Sequence, residues 1–192
     1  MKQGGERIAP GILRQYSKPS ISAPTCKGPM PPTDILLFAL TFLAALGCAL
    51  VAGIFLAFSN FVMRALARIS PPSGITAMQA INVTVLNPGF LGLFIGTALA
   101  CAALLVYAVM HLQASGAWLL VWGSSCYLLG TFGVTMVFNV PRNNALARIE
   151  PLGAESAGFW RAYVSGWTVW NHVRTGAALV GAGLLVVALV GP

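Results

Sequence analysis

The sequence predicts an all-α integral membrane protein: a four-helix bundle with a short amphipathic interfacial helix before the last span. Three observations carry this. The 192 residues are 57% hydrophobic and only 8% charged, whereas an ordinary soluble domain is about 25% charged. So few charges cannot cover a water-facing surface. Four apolar runs recur along the chain, each near the ~20 residues that span a ~30 Å hydrocarbon layer as a helix. Before the last run, Trp160, Tyr163, Trp167 and Trp170 fall on one helical face, with the amphipathic rings that favour a membrane interface.

The elements follow in order. Residues 1–33 are rich in Pro, Gly, Ser and Lys without apolar periodicity, which predicts a disordered basic tail. Met30 stands just before the first apolar run, so the tail reads as an upstream extension of a membrane domain over 34–192. The spans are expected at 34–58, about 89–110, about 117–138 and about 172–190. Gly47, Gly53, Gly92, Gly96 and Gly176 are candidates for close helix contacts, because small residues let membrane helices approach. "HLQASG" makes a tight loop between the second and third spans. In the first connection, Pro71 and Pro72 stop an extension of the first helix. Ser73 is a candidate N-cap for a short helix with Ile75, Met78 and Ile81 on one side and Gln79 and Asn82 on another. Pro141 is expected to end the third helix.

Charge and composition exclude several functions. The net charge is +7, but the basic residues flank apolar runs and form no stripe on a soluble unit, so no nucleic-acid partner is expected. Cys26, Cys48, Cys101 and Cys126 form no CxxC pair and read as small packing residues. The acids are Glu6, Asp34, Glu150 and Glu155. None lies inside a span, which argues against a proton-coupled carrier. His111 and His172 fall at opposite ends of the bundle, so no metal site is expected. There is no phosphate-cradling loop or nucleophile elbow, and no cofactor is implied.

Alternating helices put the first and third connections at the same end. That end collects Asn60, Arg64, Arg68, Gln79, Asn82, Asn87, Asn139, Arg142, Asn143, Asn144, Arg148, Arg161, Asn171, His172 and Arg174; the other is plain. The five basic residues of the tail nearly balance the arginines of the polar end; counted from Met30, the arginines make the polar end the cytoplasmic one, which is the orientation expected. His172, Asn139, Asn143 and Arg174 are the catalytic candidates, and Asn87, Phe138, Trp167, Trp170 and Asn171 the substrate-binding ones. Each also has a structural reading. Asn87 before Pro88 can cap a helix, Asn139, Asn143 and Asn144 can cap another, and Arg174 can reach headgroups.

"FSNFVMRALARI", "AMQAINVTVLNPGF", "VFNVPRNNALA" and "WRAYVSGWTVWNHVRT", in this order, resemble the small bacterial membrane proteins of the anthrone oxygenase-like family over residues 35–190. The resemblance implies a multi-pass protein of the bacterial inner membrane. It further implies oxidation of an anthrone to an anthraquinone by O2 without metal or flavin. For that chemistry His172 could be the base, since imidazole has an unperturbed pKa near 6.5. Asn139, Asn143, Asn171 or Arg174 could hold the enolate oxygen, and Trp167, Trp170 and Phe138 could stack on a flat polycycle. The expected partners are a hydrophobic small molecule and membrane lipid, with the oligomeric state open. The alternative is a non-enzymatic protein that binds lipid or another hydrophobe, or acts as a partner subunit.

Overall fold

The computed structural model describes residues 32–191; the tail expected over 1–33 lies outside them apart from its last two residues. Five helices account for the fold, and no strand occurs among the described residues. Four are long and apolar enough to cross a membrane: α1 Thr33–Leu66, α3 Pro88–Met110, α4 Ala117–Leu146 and α5 Ser156–Val190. The fifth, α2 Pro71–Thr84, is short. The long helices form a closed ring, with α1 packed on α3 and α5, and α4 packed on the same two.

Two cores are stacked along the bundle. The first lies within the spans and is built from small residues, among them Ala44, Cys48 and Ala52 of α1, Ala98 and Cys101 of α3, and Ala178 and Ala182 of α5. Burial against lipid drives no association here, so close packing must hold the helices. Gly47 meets the expectation of a close contact: a Cβ there would collide with Thr97 Oγ1. Gly53, Gly92, Gly96 and Gly176 do not, having nothing within 4 Å of a Cβ. Gly123 and Gly181 take that role between α4 and α5, where a Cβ on Gly181 would lie 2.9 Å from the Gly123 carbonyl.

The second core sits at the polar end. Met63, Ile75, Met78, Leu146, Trp160, Tyr163 and Trp167 are buried together there. It exists because three helices run further than expected. α1 continues to Leu66 and α4 to Leu146, past the expected ends at 58 and 138. α5 is one continuous 35-residue rod, so the expected interfacial helix is its first half. Its Trp160, Tyr163 and Trp167 stripe faces inward, covered by α2, because a folded layer buries more ring surface than an interface would.

π-Helical segments interrupt α1 at Phe58–Val62 and α4 at Cys126–Gly133 and Thr135–Asn139. They explain how α4 passes Pro141, which was expected to stop it. Proline lacks an N–H and crowds the carbonyl four residues back. The wider turn, in which the Val140 N–H bonds the Thr135 carbonyl, supplies the room.

α2 is capped one turn earlier than expected. Ser70 is its N-cap, with its Oγ accepting from the Ser73 N–H at 3.4 Å. Pro71 and Pro72 occupy the first helical positions, where a missing N–H is harmless. Gln79 of α2 then donates from Nε2 to the Leu146 carbonyl at 2.9 Å and the Ile149 carbonyl at 3.0 Å. It satisfies the end of α4, the task foreseen for the asparagines.

Candidate functional site

A cavity of about 380 Å³ lies where the two cores meet, within the ~300–1,000 Å³ range of small-molecule sites. Phe55 and Phe58 of α1, Phe90 and Phe94 of α3, Phe132 of α4 and Trp167 of α5 line it. The rings support one another. Phe94 stacks on Phe90 at 5.7 Å and on Phe132 at 5.4 Å, and Phe58 tilts against Trp167 at 5.8 Å. The Tyr127 hydroxyl, buried behind them, donates to the Phe94 carbonyl at 3.0 Å. The result is an aromatic slot.

Its charged element is Arg174, only 4% exposed. The guanidinium lies 4.0 Å from the Phe55 ring centroid and 5.2 Å from that of Trp167, at cation–π distance. Nη1 donates to Thr135 Oγ1 at 3.3 Å, and Nη2 donates to Asn171 Oδ1. Asn171 in turn donates to the Phe55 carbonyl and Ser59 Oγ. Thr131 Oγ1 donates to the Arg174 carbonyl at 3.1 Å. One network thus ties α1, α4 and α5 together where two of them carry π-helical turns, a geometry common at functional sites. Both partners of the cation are neutral, and its Nε has none.

The remaining polar groups add donors. Asn143 Oδ1 accepts from Tyr163 Oη at 2.9 Å and Trp167 Nε1 at 3.0 Å. With its oxygen taken twice, the group Asn143 has left to offer is its amide N–H₂. Asn82 also lines the cavity, and its buried Nδ2 has no partner. Among the described residues, no carboxylate or imidazole belongs to the lining. A slot of aromatic walls, one buried cation and spare N–H donors suits a flat molecule carrying an anionic or carbonyl oxygen.

The expected residues divide. Asn143, Trp167 and Arg174 line the cavity, and Asn171 holds Arg174 from behind. Asn139 is buried beside them, its Nδ2 donating to the Trp167 carbonyl at 3.4 Å and its Oδ1 unpartnered. Phe138 and Trp170 stack face to face at 3.5 Å away from the lining. Asn87 acts as the N-cap of α3, accepting from the Phe90 N–H at 3.0 Å. His172 is exposed on the outer face of α5 and is not in the lining: a helix presents residues two apart to nearly opposite sides, so Arg174 inward puts His172 outward. Phe55, Phe90, Phe94, Phe132 and Thr135 were not singled out from the sequence. Their signal is indistinct, because an aromatic in a span serves lipid contact equally well.

Among the described residues, no group of three or more His, Cys, Asp or Glu comes together. A family model described as anthrone oxygenase matches residues 90–184, about half the chain. The match takes in Phe90, Phe94, Phe132, Asn143, Trp167 and Arg174. No curated protein and no solved structure matches the chain. The chain therefore belongs to the anthrone oxygenase-like family of membrane proteins.

Proposed function

We propose that the cavity binds an anthrone-type polycycle and promotes its oxidation by O2, with Arg174 holding the oxygen of the anthrone anion. The observation that carries this is a buried cation with neutral partners facing an aromatic slot. A cation in a low-dielectric site stabilises an enolate strongly and so eases loss of the methylene proton. With no carboxylate or imidazole among the described residues of the lining, water accepts that proton. Asn143 N–H₂ is a second donor for the enolate oxygen.

The chemistry balances without another reductant. The carbanion passes one electron to O2, and the resulting radical pair joins as a C–O bond, giving a peroxide anion that takes back the proton released to water and becomes a hydroperoxide. Loss of water from the hydroperoxide leaves the second carbonyl. One oxygen atom ends in the quinone and the other in water. The phenyl rings orient the flat substrate.

The site would work in the bacterial inner membrane. Exposed Arg64, Arg68, Arg148 and Arg161 at the polar end support a cytoplasmic orientation of that end. The test is oxygen uptake by purified protein given 9-anthrone, with the enzyme-free rate subtracted. Arg174→Gln is expected to abolish most of the protein-dependent uptake. Wild-type protein with no uptake above background, yet with intact binding of polycycles, would select the non-enzymatic binding reading instead.

A further inference from the structure

α2 covers part of the cavity, which reaches the outer surface at its side. α2 lies across the top, packed on the last turns of α1 and α4 and on α5. Below it the two neighbouring helices part. α3 packs on α4 over Ala117–Ser125 and Cys126–Gly133. Beyond that, Thr135–Asn139 packs on α5, and Val140–Leu146 packs on α2 and α5. At this divergence Ile95 of α3 (45% exposed) and Met136 of α4 (44%) belong both to the cavity and to the outer surface, with Val83, Leu86, Asn144 and Ala147 exposed along the same lining toward α2. Phe90 to Ile95 lie roughly 3–11 Å along α3 from its start at 1.5 Å per residue. The opening therefore sits just inside the apolar layer, where amphipathic aromatics collect.

We infer that the gap between α3 and α4 is a lateral portal, through which a flat aromatic carrying an anionic or carbonyl oxygen enters from the bilayer. This rests on the cavity being the ligand site. An apolar rim attracts no ligand from water but is continuous with lipid. A ligand sliding in from that side meets the aromatic walls first and Arg174 at the far end. Its apolar body never leaves an apolar medium, and only its oxygen exchanges a water shell for protein donors.

The probe is anthracene-9-carboxylate, followed by its fluorescence in proteoliposomes. Ile95→Trp and, separately, Met136→Trp narrow the rim without touching Arg174. A portal residue controls passage in both directions, so association and dissociation rates should both fall at least about tenfold by a common factor. An ordinary contact residue changes mainly dissociation. In the second arm, a phosphatidylcholine with an anthroyl group on one acyl chain competes with the free probe. It cannot leave the bilayer, so competition is expected only if the entrance faces lipid. Unchanged rates in both variants, or no competition by the tethered lipid, would overturn the portal while leaving the site intact. Failure of anthracene-9-carboxylate to bind the wild-type protein at all would overturn both.

Discussion

Replacing Arg174 by methionine should separate function from stability. Methionine is flexible and apolar and fills much of the same space. Two terms oppose each other in the fold. Removing an arginine from the apolar layer relieves about 2.5–3.5 kcal/mol on insertion scales. Against that, Asn171 Oδ1 loses its donor, and an orphaned buried polar group costs about 1–3 kcal/mol. Loss of the cation–π contacts with Phe55 and Trp167 adds about 0.5–2 kcal/mol to that cost. The terms nearly cancel, so thermal unfolding in detergent should shift little. Binding has no such compensation. Two unit charges about 4 Å apart attract by about 4 kcal/mol at an effective dielectric of ~20. This agrees with the ~10²–10³ lost when one oxyanion donor is removed from an enzyme. Titration of anthracene-9-carboxylate should therefore show about 10²–10³ weaker binding for the folded variant. A folded variant that binds as the wild type does, or an unfolded one whose binding returns with stability in Arg174→Lys and in a second, uncharged replacement that folds, would show that the arginine only braces the helices.

Other outcomes follow from the same geometry. Asn143→Ala leaves Tyr163 Oη and Trp167 Nε1 without their shared acceptor, so unfolding stability should drop by about 2–6 kcal/mol at 1–3 per orphaned group. Tyr163→Phe should lose less, since Trp167 keeps its partner. Gly47→Ala places a Cβ against Thr97 Oγ1 and should cost about 1–3 kcal/mol by overpacking, with Thr97→Ala restoring much of it in the double variant. His172→Ala, on the exposed face of α5, should keep wild-type oxygen uptake above background; a hundredfold loss would return the base to that residue.

Composition and apolar run length were enough to read the membrane class and the number of spans, because lipid imposes both directly. The polar end was legible too, since Asn143, Trp167 and Arg174 stand out against an apolar chain. Three things were hidden. The helices run past their expected ends because α2 supplies partners for them: Gln79 for α4, Ile75 and Met78 for the α5 stripe. A sequence shows candidate partners without saying that they meet. Pro141 was read as a stop because π-helical turns have no sequence signature. His172 and Arg174 stand two residues apart, and both are polar. Which one faces inward was decided by Thr135, Asn171 and Phe55, from three different helices.

The central claim is that this aromatic slot holds a flat oxygen-bearing ligand against Arg174. A structure of the protein in lipid nanodiscs with anthraquinone-2-carboxylate tests it most directly. The expected result is the ring system lying between Phe94 and Trp167 with its carboxylate within hydrogen-bond reach of the Arg174 guanidinium. A ligand bound beside His172 on the outer face of α5, with the slot occupied by lipid or unchanged, would contradict it.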